Sequence, residues 1–204
     1  MEEKQLIEDV EFIRQMVENN RRSLVDNGIS YIATGVFIVV GASISYLLEV
    51  TGKGDLLPWL WLSLMALLIA FNIIIQGQIE KRSIKKTFAS RIFADVWLAC
   101  GMPIIIVSVL FFTTRSIPLN ALMACVSSCL GIGYYLTGSI NDLKFMKYLA
   151  FGWWAGVAVS ILWKYIGYDY QLGLLFTALI LLLEVIPGII IYKKWKNTFN
   201  GKTI

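Results

Sequence analysis

The chain has 204 residues, of which 57% are hydrophobic and only 16% charged, and its mean hydropathy is +0.69. That balance excludes an ordinary soluble globular domain, and the complete lack of histidine removes the commonest general base and zinc ligand together with any Ser–His or Cys–His arrangement. The formal net charge of +4 is not a nucleic-acid signature, because the Lys and Arg residues flank apolar runs, where they set topology and meet anionic headgroups.

Residues 1–27 predict a cytoplasmic amphipathic helix. Leu6, Val10, Ile13, Val17 and Leu24 recur at alternating four- and three-residue steps along one face of Glu2–Arg22, widened by Ile7 and Met16. Glu2, Glu3, Glu8, Asp9 and Glu11 crowd its start and Arg21 and Arg22 its end, which suits the helix dipole. Two readings stand: a helix lying along the membrane surface or under the bundle, or one that binds a partner or a second copy. The acidic leading half leans toward the second, because a helix that rests on lipid usually carries Lys and Arg on its polar face. No signal peptide is expected, since the opening Met1-Glu2-Glu3-Lys4 reverses a positive n-region.

Six apolar runs follow, over Gly28–Leu48, Leu56–Gly77, Ile92–Thr113, Pro118–Ile140, Tyr148–Ile166 and Leu172–Tyr192. Each reaches the roughly 20 helical residues that cross a hydrocarbon core. The predicted fold is therefore all-α: a polytopic six-transmembrane-helix bundle over residues 28–192, preceded by the N-terminal helix and followed by a short basic cytoplasmic tail, residues 193–204. Of the 18 Lys and Arg residues only Lys53, Arg115 and Lys164 fall on one side. The positive-inside rule then places both termini in the cytoplasm.

Depth can be measured inward from the basic edges at about 1.5 Å per residue. Glu184 lies nine residues before Lys193, roughly 13 Å deep and close to mid-membrane. Pro187-Gly188 follows, and the proline deprives the carbonyl of Leu183 of its helical donor, which predicts a kink beside the carboxyl group. Glu184 reads either as a cation or proton site or as a hydrogen-bonded group joining helices. Asn72 sits at roughly 12 Å and Gln76 one turn lower on the same face. Thr34, Tyr134 and the Trp153–Trp154 pair reach about 9–10 Å, so all of these side chains are candidates to converge on one cytoplasm-facing cavity. Asp95, one turn after Arg91, predicts a local ion pair.

Small residues at four-residue spacing, Gly152–Gly156–Ser160 in the fifth run and Ala124–Ser128 and Ser127–Gly131 in the fourth, predict close helix packing within the chain. Cys125 and Cys129 stand side by side on one helix, a poor disulfide geometry, so the three cysteines read as packing. A Cu(I) site built from them with Met102 and Met123 is not expected. Gly28-Ile-Ser-Tyr-Ile-Ala-Thr-Gly35 echoes Gly131-Ile-Gly-Tyr-Tyr-Leu-Thr-Gly138, but one opens the first run and the other closes the fourth, which reads as coincidence rather than an inverted repeat.

Phe12–Glu18 running into Val25–Gly28, Gly131–Gly138, Phe151–Trp154 and Val185–Lys194 together resemble a family of small, uncharacterised bacterial six-helix integral membrane proteins. The resemblance implies a bacterial inner membrane and supplies no activity. The expectation is a non-enzymatic sensor, accessory or assembly component without cofactor or metal. Its partners would be the lipid bilayer and a protein reached through the N-terminal helix, with no nucleic acid and an oligomeric state left open. The alternative is a small-solute or ion transporter or channel using Glu184 and Asn72.

Overall fold

The computed structural model describes residues 28–82, 88–140, 142–163, 165–166 and 169–200. The N-terminal helix expected over Glu2–Arg22 lies outside the described residues, as does the side chain of Gln76. What is described is helical, with no strand among the described residues. Among the described residues six helical spans are long and apolar enough to cross a membrane. A helix satisfies its backbone N–H and C=O groups within itself, which is why uninterrupted apolar sequence without water resolves into this element.

The elements are α1 (Ile29–Val50), α2 (Leu57–Arg82, entered through a 3-10 turn over Gly54–Leu56), α3 (Phe88–Thr114), α4 (Leu119–Ile140), α5 (Lys144–Trp163), α6 (Asp169–Ile180) and α7 (Ile186–Asn200). A π turn over Leu181–Val185 joins α6 to α7, so that these three pieces form the sixth span. Several boundaries differ from the sequence reading: α2 runs on to Arg82 rather than Gly77 and α3 begins at Phe88 rather than Ile92. The fifth helix begins at Lys144 rather than Tyr148, because the α4–α5 connection is tight: Asp142 takes a left-handed φ of 52° and the Leu143 N–H donates to Gly138 O at 2.8 Å. The sixth helix continues through Lys193 to Asn200, so the basic stretch after Tyr192 is helical that far. Pro103 sits inside α3 without ending it.

α4 and α5 form the most closely packed pair in the bundle. α3 packs on α4, the sixth span lies against α5 and α1, and α2 is held chiefly by α1 and α3. The core is one cluster: Tyr31, Leu130, Tyr134, Met146, Ala150, Trp153, Phe176 and Ile180. Outside it, Leu47, Leu67, Ile73, Leu98, Ile106, Phe151 and Leu182 expose large apolar side chains, a surface that suits lipid. The small-residue stripes pack within the chain. A Cβ on Gly152 would stand 3.0 Å from Leu183 Cδ2, one on Gly156 would stand 3.1 Å from Ser127 Oγ, and one on Gly131 would collide with the Trp154 indole. The cysteines are free, and Arg91 and Asp95 are both exposed with no ion pair between them.

Candidate functional site

The sixth span presents Leu172, Phe176, Ile180, Glu184 and Gly188, four residues apart, as its buried face. Glu184 therefore follows Ile180 of the core directly. It is only 3% exposed, and its Oε2 has no hydrogen-bond partner. A buried polar group left in that state costs about 1–3 kcal/mol.

The backbone beside it is equally unusual. The Ile186 N–H donates to Leu181 O, a five-residue step, where an α-helix would use four. Pro187 supplies no N–H to Leu183, so the ordinary ladder cannot run through this point. The helix widens into a π turn instead of only kinking, and Glu184 sits in the widened turn. Such turns occur mostly as single insertions, frequently at functional positions.

Aromatic rings fill the neighbouring core. Tyr134 lies 5.7 Å from Tyr31, 5.8 Å from Trp97 and 6.3 Å from Trp153 between ring centroids, and Trp153 lies 6.0 Å from Phe176. These are the separations at which tilted and edge-on rings attract. Trp97 Nε1, Trp153 Nε1 and Ser127 Oγ are also buried without a hydrogen-bond partner. The interior thus holds several polar atoms in a closed aromatic setting.

The expected site residues divide. Tyr134 and Trp153 join one core cluster with Ile180, the residue one turn before Glu184. Thr34 is half-buried on α1. Trp154 turns the other way, packing at 5.7 Å from Tyr135 and 5.4 Å from Phe151, whose ring is largely exposed. Asn72 uses its amide within its own helix, where Nδ2 donates to Leu68 O at 2.9 Å. Pro187 and Gly188 are both buried, and Gly188 packs on α1.

Two residues central to this interior, Tyr31 and Trp97, were missed from sequence. Trp97 lies six residues past Arg91, the same depth that Trp153 has past Lys147. Tyr31 had a different signal: it is the tyrosine of the Gly28–Gly35 segment, and its counterpart in the echoing segment is Tyr134. The two rings meet in the core, while Gly28, Gly35, Gly131 and Gly138 all mark close contacts. The echo is therefore a shared packing solution: glycines admit a neighbour and the tyrosine enters the interior.

Clefts open on the surface of the described residues, two of them as follows. One of about 690 Å³ lies between the α1–α2 and α3–α4 connections, with Glu49, Asp55, Phe111, Phe112 and Arg115 in its wall. The other, of about 400 Å³, is an apolar groove formed by α1 and Tyr192. Glu184 lines neither. Among the described residues no three His, Cys, Asp or Glu side chains cluster as a metal site would. No protein-family model matches the chain, and no curated protein or solved structure shows significant similarity to it.

Proposed function

We propose that this chain is a non-enzymatic multi-pass protein of a bacterial inner membrane, with both termini cytoplasmic, which acts through a protein partner as a sensor, accessory or assembly component. One observation carries the reading: Glu184 is shut inside a packed interior that neither described cleft reaches. A carrier or channel needs its polar site to open toward water, whereas a sensing element needs only a group whose state can change. The lack of histidine supports the non-enzymatic half of the reading, and the Lys and Arg distribution supports the orientation. The contact element would be the amphipathic segment ahead of Gly28.

A second reading, a small-solute or ion transporter, draws on the unpartnered Glu184 Oε2 and the π turn around it. Proteoliposome flux separates the two. The expected result is no flux above empty vesicles for a broad panel of ions and small solutes, for wild type and Glu184→Gln alike. Solute-dependent flux in the wild type that is lost in Glu184→Gln would replace the first reading with the second.

A further inference from the structure

We infer that Glu184 is a proton-binding site, and that its occupancy is relayed through Pro187 and Gly188 to Gly28, the residue that follows the amphipathic segment 1–27 in the chain. This rests on the sensor reading above and gives it an input and an output.

The ligand follows from what surrounds the carboxyl group. The π turn packs against α1, α5, α6 and α7. α1 brings Tyr31 as its titratable group on the packed face, where a Cβ on Gly188 would stand 3.0 Å from Tyr31 Cβ. The buried face of α5 is Met146, Ala150, Trp153, Gly156 and Ser160, with neither acid nor base. α6 offers Leu172, Phe176 and Ile180, and α7 offers Pro187 and Gly188, with Tyr192 one turn further on. Across the core α4 adds Tyr134. Among the described residues of these faces, no lysine, arginine or second carboxylate accompanies Glu184. A divalent cation would need several oxygen ligands, and an organic cation would need room between rings that are already in contact. A proton needs neither, and it removes the charge from a carboxyl group that is buried with an unpartnered Oε2.

The relay follows from the backbone. A π turn and an α turn differ by one residue in hydrogen-bond register, so the segment has two discrete arrangements rather than a continuum. Gly188, one turn past Glu184, lies with its carbonyl oxygen so close to Gly28 that a Cβ on Gly28 would collide with it. Gly28 itself has a φ of 73°, a turn conformation that glycine takes without strain. A shift of register at Leu181–Val185 moves Gly188, and Gly28 has no free space on that side.

The test uses full-length protein in lipid nanodiscs. Trypsin cleavage after Arg21 and Arg22, normalised to a free peptide of the same sequence, is followed alongside the infrared carboxyl band. Between about pH 5 and pH 9 the wild type is expected to change its cleavage rate roughly threefold or more, in step with a single carboxyl band, because cleavage tracks the population of the accessible form. Glu184→Gln is expected to lose the band and hold one rate throughout. Gly188→Ala is expected to keep the band while its cleavage rate no longer follows it. Should Glu184→Gln fail to fold, Glu184→Asp is expected to retain the response with a displaced midpoint. A pH response unchanged in the Glu184 variants, or no titrating carboxyl band in the wild type, overturns the inference. Flux lost in Glu184→Gln would remove the partner reading and leave this titration standing. A silent titration without flux would do the reverse.

Discussion

α2 and the α4–α5 pair are built from similarly apolar sequence, yet they sit in the bundle on very different terms. α4 buries Leu122, Ser127, Leu130, Gly131, Gly133, Tyr134, Thr137 and Gly138, and α5 buries Met146, Ala150, Trp153, Gly156 and Ser160. No residue of Gly54–Ile74 on the α2 side is buried. α2 is held by a few discrete anchors: Trp61 Nε1 donates to Ser45 Oγ at 2.9 Å, Trp61 stacks on Phe112 at 5.8 Å, and Phe71 meets Phe37 at 5.9 Å. In a hydrocarbon solvent an apolar side chain gains little by leaving lipid for protein, so hydrophobicity does not choose neighbours. Small residues that admit a close approach, and polar or aromatic anchors, do.

Substitutions can break that contrast, beginning with the packed side. Trp153→Ala removes a ring with no exposed surface and is expected to cost about 3–5 kcal/mol, read as a fall in thermal unfolding midpoint of the purified protein. Gly131→Leu should displace Trp154 and cost about 1–3 kcal/mol in the same assay, with a change in tryptophan fluorescence. Glu184→Met tests the sign. Removing an unpartnered buried oxygen is expected to raise stability by about 1–3 kcal/mol, and a loss would show that the carboxyl group holds the bundle together. On the lightly held side, Trp61→Phe keeps the ring and forfeits one hydrogen bond, for an expected loss of about 0.5–1.5 kcal/mol. Leu67→Ala, at a residue that is itself 57% exposed, should shift stability by no more than about 0.5 kcal/mol. A large effect there would mean that the face is covered by another protein surface.

Glu184 shows how far the one-dimensional depth scale reached. Counting from Lys193 put it near mid-membrane, and Pro187 announced a break in the ladder. The π turn was not visible, because a missing donor at Pro187 permits a bend, a bulge or a water-filled gap alike. Tyr134 and Trp153 were placed at one depth and share a core cluster, whereas Trp154, one residue further on, faces Phe151 and Tyr135. A step of one residue turns a helix by about 100°, so a count along the chain leaves direction open. Asn72, which the count put level with Glu184, illustrates the same limit: its Nδ2 donates to Leu68 O in its own helix.

The sequence by itself determined that the described chain is helical and that six stretches are long and apolar enough to cross a membrane, since both follow from local length and composition. Only the tertiary structure decided which faces meet. It paired Tyr31 with Tyr134, seated Gly188 against Gly28, and buried the Glu184 carboxyl group in the interior. Those outcomes depend on helix rotation and close packing, which small residues permit at many positions and fix at few.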